Sequence, residues 1–147
     1  MFADGAPRSV LQRVTALDAH RAAREVADEV ARLSARACGD AAAAAFLHPI
    51  ARATQVGHIL RSAACAARVA ELRAGGDAAV ATALLRSTGD RASPVVAAVL
   101  RRYPEAPTGR SRLSHLMVEL DTLLRSLGPH RPDDARVPRC ARPGGPE

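Results

Sequence analysis

Apolar positions recur along most of the chain at intervals of three and four residues, the spacing that lines one face of an α-helix. Val10, Val14 and Leu17 form a first set, and Val26, Val30, Leu33 and Ala37 a second. Nine residues separate Leu17 from Val26, a rotation of about 180° at ~100° per residue. One straight helix would carry the two sets on opposite faces. The pattern is better met by a turn between about Arg21 and Glu25, with helices over 9–23 and 25–47 and Ser9 as the first N-cap.

Gly39-Asp40 interrupts the second helix just ahead of Ala41–Ala45. Glycine in a helix interior costs about 1 kcal/mol relative to alanine. Gly39 therefore marks either a close approach of another helix or a break. His48-Pro49 ends the helix, because the residue before proline avoids the helical region. Residues 50–73 form the strongest helical stretch, with Val56, Ile59, Leu60, Ala63, Ala67 and Val69 tracing its face and Gly75-Gly76 stopping it.

Asp77 is placed to cap a helix over 78–88, through Val80, Leu84 and Leu85, which Gly89-Asp90 ends. Ser93-Pro94 is an N-cap and first-turn pair that opens a short helix, Val95–Arg102. Tyr103–Pro107 is a linker. Ser111 caps the last helix, whose Leu113, Leu116, Met117, Leu120, Leu123, Leu124 and Leu127 make a wide apolar stripe. From Gly128 onward five prolines fall in twenty residues among few apolar side chains, the composition of a disordered tail. The expected organisation is a loop over 1–8, a helical domain over 9–127 and a tail over 128–147. The fold class is all-α, a compact bundle of about six helices.

Composition supports that class. The 147 residues suit one domain. Alanine fills 33 positions and aromatics only 2%, too few aromatic and β-branched residues for a sandwich or barrel. The same scarcity argues against an aromatic platform for single-stranded nucleic acid. The longest apolar runs, Ala41–Leu47 and Pro94–Leu100, are seven residues each, against the ~18–20 that span a bilayer. The first residues carry no hydrophobic signal segment, so the expected location is cytoplasmic with no membrane partner.

The formal net charge is +6, and every basic residue is arginine. A basic balance invites nucleic acid. Here the acids are interspersed with the arginines, and arginine without lysine beside abundant alanine, glycine and proline is also what a GC-rich coding sequence gives. Cys38, Cys65 and Cys140 form no C-x-x-C pair, so neither a disulfide framework nor a zinc site is expected. Cys38 and Cys65 read as small core residues.

Candidate chemistry is sparse. A P-loop requires lysine, which the chain lacks, and G-x-S-x-G, H-E-x-x-H and G-x-G-x-x-G are missing as well. The five histidines are His20, His48, His58, His115 and His130. His20, His48 and His58 could converge in a bundle, and with a carboxylate such as Asp40 would make a polar site for proton transfer or a metal. No two histidines sit at helical spacing on one helix, so capping and loop hydrogen bonds account for them as well. Asp18 with Arg21, and Glu25, Asp28 and Glu29 with Arg32, fall at helical pairing distances and read as a solvated face. No catalytic residue, cofactor or metal ligand is assigned.

Three stretches carry a family resemblance. They are Leu11–Arg24 with its Ala19-His20 pair, Ala35–Pro49 with Gly39 and the terminal His48, and Thr54–Arg68 opening with His58. Together with Ser93–Pro104 they resemble the small alanine-rich helical proteins of actinobacteria classed as immunity proteins, over about residues 6–127. The resemblance implies a non-catalytic protein that binds a cognate toxin or other protein partner. Such relatives begin with a further helix before the segment matching Ala3-Asp4-Gly5-Ala6-Pro7, whereas Met1 here falls almost on it. The expectation that follows is an apolar groove left open on the bundle, and self-association through it. Two other readings stand beside this one. One is a small basic helical protein associated with nucleic acid, and the other a metal- or ligand-dependent enzyme using His20, His48 and His58.

Overall fold

The computed structural model describes residues 10–44 and 53–127. Six helices follow one another: α1 (Val10–Glu25), α2 (Glu29–Ala43), α3 (Ala53–Arg73), α4 (Ala78–Arg91), α5 (Pro94–Leu100) and α6 (Arg112–Ser126). Among the described residues there is no strand, and no helix is long and apolar enough to cross a membrane. The all-α class is as the sequence predicts. Ser9, His48, His130, Cys140, the 1–8 loop and the tail from Gly128 lie outside the described residues.

Local chemistry sets most helix ends. The Asp28 carboxylate accepts from the Ala31 amide at 2.7 Å, Asp77 from Ala79 at 2.9 Å, and Ser111 Oγ from Ser114 at 3.1 Å. Each satisfies an amide that has no partner within its helix. Ser93 stands at the N-cap of α5 but makes no side-chain cap bond, leaving Pro94 to start that helix. Gly75 and Gly76 take φ of 71° and 93°, and the Gly76 amide donates back to the Glu71 carbonyl at 2.8 Å. That six-residue closure is a Schellman ending, which requires the left-handed conformation glycine adopts without strain.

Helix α2 closes at Ala43 rather than at 47, and α5 covers Pro94–Leu100 rather than Val95–Arg102; two further boundaries differ from the sequence reading for a visible reason. The turn between α1 and α2 falls at residues 26–28, after Glu25 rather than before it, because Asp28 provides the cap that starts α2. Helix α4 continues through Gly89-Asp90 to Arg91. Gly89 is buried there, with Leu123 of α6 at 4.0 Å from where a Cβ would stand, so this glycine admits a neighbouring helix and ends nothing.

Helix α3 divides the domain. On one side lies the main core: Val56, Leu60, Ala64 and Ala67 of α3 against Ala81 and Leu85 of α4, Leu100 of α5, and Leu116, Met117, Leu120 and Leu124 of α6. On the other side α2 packs on α3, and α1 packs chiefly on α2. The α1–α2 layer is thin. Among the described residues its buried apolar side chains are Ala16, Ala23 and Leu33, small apart from the last.

Buried carboxylates fasten the pieces. Glu71 of α3 accepts from Arg68 at 2.7 Å and from Arg112 of α6 at 2.9 Å, while Arg68 also approaches Glu29 of α2 at 3.7 Å. Asp121 of α6 accepts from the Ala106 amide and from Arg125, both at 2.8 Å. Arg125 donates onward to the carbonyls of Tyr103 and Pro104, and Arg101 to those of Arg125 and Leu127. The long connection from α5 to α6 is thus pinned to α6 by its own backbone.

Candidate functional site

The remaining buried carboxylate, Asp40, gathers the polar residues singled out in the sequence. It lies on the last turns of α2 and is fully buried. An isolated carboxylate there would cost several kcal/mol in lost hydration, so its neighbours matter. Helices α2 and α3 run antiparallel, which brings the end of α2 beside the start of α3. His58 and Arg61 stand one turn apart on the facing side of α3. His58 Nδ1 is 3.1 Å from Asp40 Oδ1, and Arg61 donates to the same oxygen at 3.2 Å. His20 of α1 brings Nε2 to 3.9 Å of that oxygen, within electrostatic reach and beyond hydrogen-bond distance. Asp40 Oδ2 has no hydrogen-bond partner among the described residues.

Two glycines make the cluster possible. A Cβ at Gly39 would lie 2.9 Å from three atoms of the His20 ring, so the imidazole rests flat against the glycine backbone of α2. A Cβ at Gly57 would collide with the Arg61 guanidinium one turn on, so Gly57 is the notch through which Arg61 turns back along its own helix toward Asp40. Of the two alternatives for Gly39, the close approach is correct and α2 is unbroken.

His20, Asp40 and His58 therefore come together, whereas His48 lies outside the described residues. His115 is exposed on α6, far from the cluster in sequence and in the fold. Arg61 was not singled out in the sequence. Its signal is the i, i+3 spacing from His58 and the i, i+4 spacing from Gly57. No group of His, Cys, Asp and Glu among the described residues is arranged to hold a metal ion.

Chemically, a carboxylate bonded to the Nδ1–H of an imidazole orients that ring and favours one tautomer, the supporting half of a general base. Cys65, nearby on α3, is no nucleophile for it. Burial pushes the thiol up from 9.0 to about 11, Asp40 adds to the rise, and Arg36 and Arg61 only partly oppose it. The thiol is protonated at neutral pH and unreactive. Cys38 was expected in the core with Cys65 but is exposed, because α2 turns that position to solvent.

The second notable surface lies on α1. Its inner face, Ala16, His20 and Ala23, rests on α2, while the larger apolar residues point the other way. Val10, Leu11, Val14 and Leu17 are 79%, 72%, 45% and 57% exposed. No family model matches the chain, and no curated protein or solved structure is detectably similar to it.

Proposed function

We propose that the chain acts without catalysis, by binding another protein, in the manner of a cytoplasmic immunity factor that holds a cognate toxin. One observation carries the reading: the outward row of Val10, Leu11, Val14 and Leu17 on α1. Burying aliphatic side chains contributes about 1.5–3 kcal/mol each. A helix that rests its alanines on its own domain and turns valines and leucines to water is poorly explained by the domain alone. Contiguous exposed apolar surface is characteristic of protein interfaces. Association driven by such a surface resists salt, unlike phosphate binding by arginine.

The test is capture of partners by the tagged full chain from its native lysate, at low salt and at about 500 mM, where exposed charges are screened within a few ångströms. A stoichiometric protein retained at high salt, whose isolated activity the chain suppresses, is the expected result. Nucleic acid held only at low salt would overturn the proposal in favour of a basic nucleic-acid-associated protein.

A second reading draws on the convergence of His20, Asp40 and His58. It is a histidine-dependent ligand-binding or catalytic site, with His58 oriented by Asp40. Metal analysis of the purified chain and substitution of His58 distinguish it, since loss of an activity with the fold intact is required.

A further inference from the structure

Next to the Asp40 cluster, where α1 turns into α2, lies an open cleft of about 630 Å³ lined by His20, Ala23, Arg24, Val26, Arg32 and Arg36. Its volume falls within the range of small-molecule sites, ~300–1,000 Å³. Among the described residues that line it, three are arginines, drawn from two helices, and none is a carboxylate. None of the three pairs with an acid among the described residues. That sets them apart from Arg61, Arg68, Arg112 and Arg125, each committed to a buried carboxylate. The wall they share with the buried cluster is His20, whose ring is held flat on Gly39. Ala23 and Val26 give the cleft a small apolar patch.

We infer that this cleft binds a small organic anion bearing at least two negative charges, a diphosphate or closely spaced phosphates on a partly apolar body. Three arginines lining one cleft, none of them ion-paired to an acid among the described residues, match a multiply charged ligand better than a single carboxylate. The planar fork of arginine fits phosphate oxygens in pairs. His20 adds a ring already restricted in orientation, so little freedom is lost when it serves as a donor. The inference is independent of the α1 outer face, and either can fail without the other.

Pyrophosphate is the probe, titrated into the isotopically labelled full chain at constant ionic strength and followed by amide and arginine side-chain NMR. Saturable shifts confined to residues 20–36 are expected. Arg32→Ala/Arg36→Ala should weaken binding at least about tenfold, the scale of one lost charge-assisted hydrogen bond, whereas Arg86→Ala, exposed on α4 across α3 from the cleft, should leave it unchanged. These arginines are exposed and unpaired, so the variants keep the fold. Shifts spread over arginines throughout the chain, or equal binding by the double variant, would overturn the inference. So would a glutamate-rich peptide that binds the cleft more tightly than pyrophosphate, since the cleft would then belong to a protein partner.

Discussion

The imidazole of His20 lies flat against Gly39, with three ring atoms 2.9 Å from the point a Cβ would occupy. The α1–α2 layer has few large apolar contacts, so this ring is a substantial part of what seats α1. Gly39→Ala sets two effects against each other. The added methyl favours the helix by about 1 kcal/mol, and it displaces the ring. In the wild-type background the substitution is expected to destabilise. In a His20→Ala background it is expected to stabilise, by up to about 1 kcal/mol. Denaturant unfolding of the four proteins measures the coupling, and additive effects would show that the ring does not rest where the structure places it.

Arg61 and Asp40 should be unequal partners. Asp40 is fully buried, while the Arg61 side chain is 25% exposed and can turn to water. Removing the arginine leaves the buried carboxylate with His58 as its one direct partner among the described residues, and removing the carboxylate leaves no charge as deeply buried. Arg61→Met is therefore expected to cost about 2–3 kcal/mol, and Asp40→Asn less. The double variant should be more stable than Arg61→Met alone. Urea midpoints at neutral pH test the order, and a double variant less stable than both singles would contradict it.

The Cys65 thiol predicts a slope in alkaline stability. Its folded value is raised to about 11 from 9.0, so below pH 9 the group is protonated in both states and contributes no pH dependence. Between pH 9 and 11 the unfolded chain ionises first, and stability falls by at most about 2–3 kcal/mol. Cys65→Ala should abolish that part of the slope whatever its own cost in packing. In the native protein at neutral pH, iodoacetamide should label Cys38 and spare Cys65, as peptide mass spectrometry would read.

The outward apolar row on α1 also predicts weak, reversible self-association at tens of micromolar. Light scattering should show mass above the monomer, and Leu17→Glu should restore the monomer. A clean monomer in the wild type would count against an adhesive α1 face.

Much of the fold was legible because the cues are local. Asp77, Ser111 and Gly75-Gly76 act within one or two turns of themselves, and the leucine stripe from Leu113 to Leu127 has no satisfactory exposure except against a core. Where two cues competed, a local pattern could not choose. Gly89 reads as a helix end until Leu123 is seen beside it, and Cys38 reads as core because alanine-rich turns look apolar all round. The face of α1 was harder still. Val10, Val14 and Leu17 have the spacing of a buried stripe, yet α2 receives the alanine and His20 face, since small residues allow the closer approach. His20, Asp40 and His58 could be named as a set, but that Arg61 completes the cluster depends on Gly57 leaving it room, a relation visible only in three dimensions.

The central claim is that the outer face of α1 is a protein interface, and the most direct measurement compares capture by the wild-type chain with capture by Val14→Glu/Leu17→Glu at about 500 mM salt. Both residues are exposed, so the variant should keep its helicity and unfolding midpoint. The account predicts a stoichiometric protein partner on the wild type and its loss from the variant. A partner held equally by both would contradict it and move the interface elsewhere on the domain.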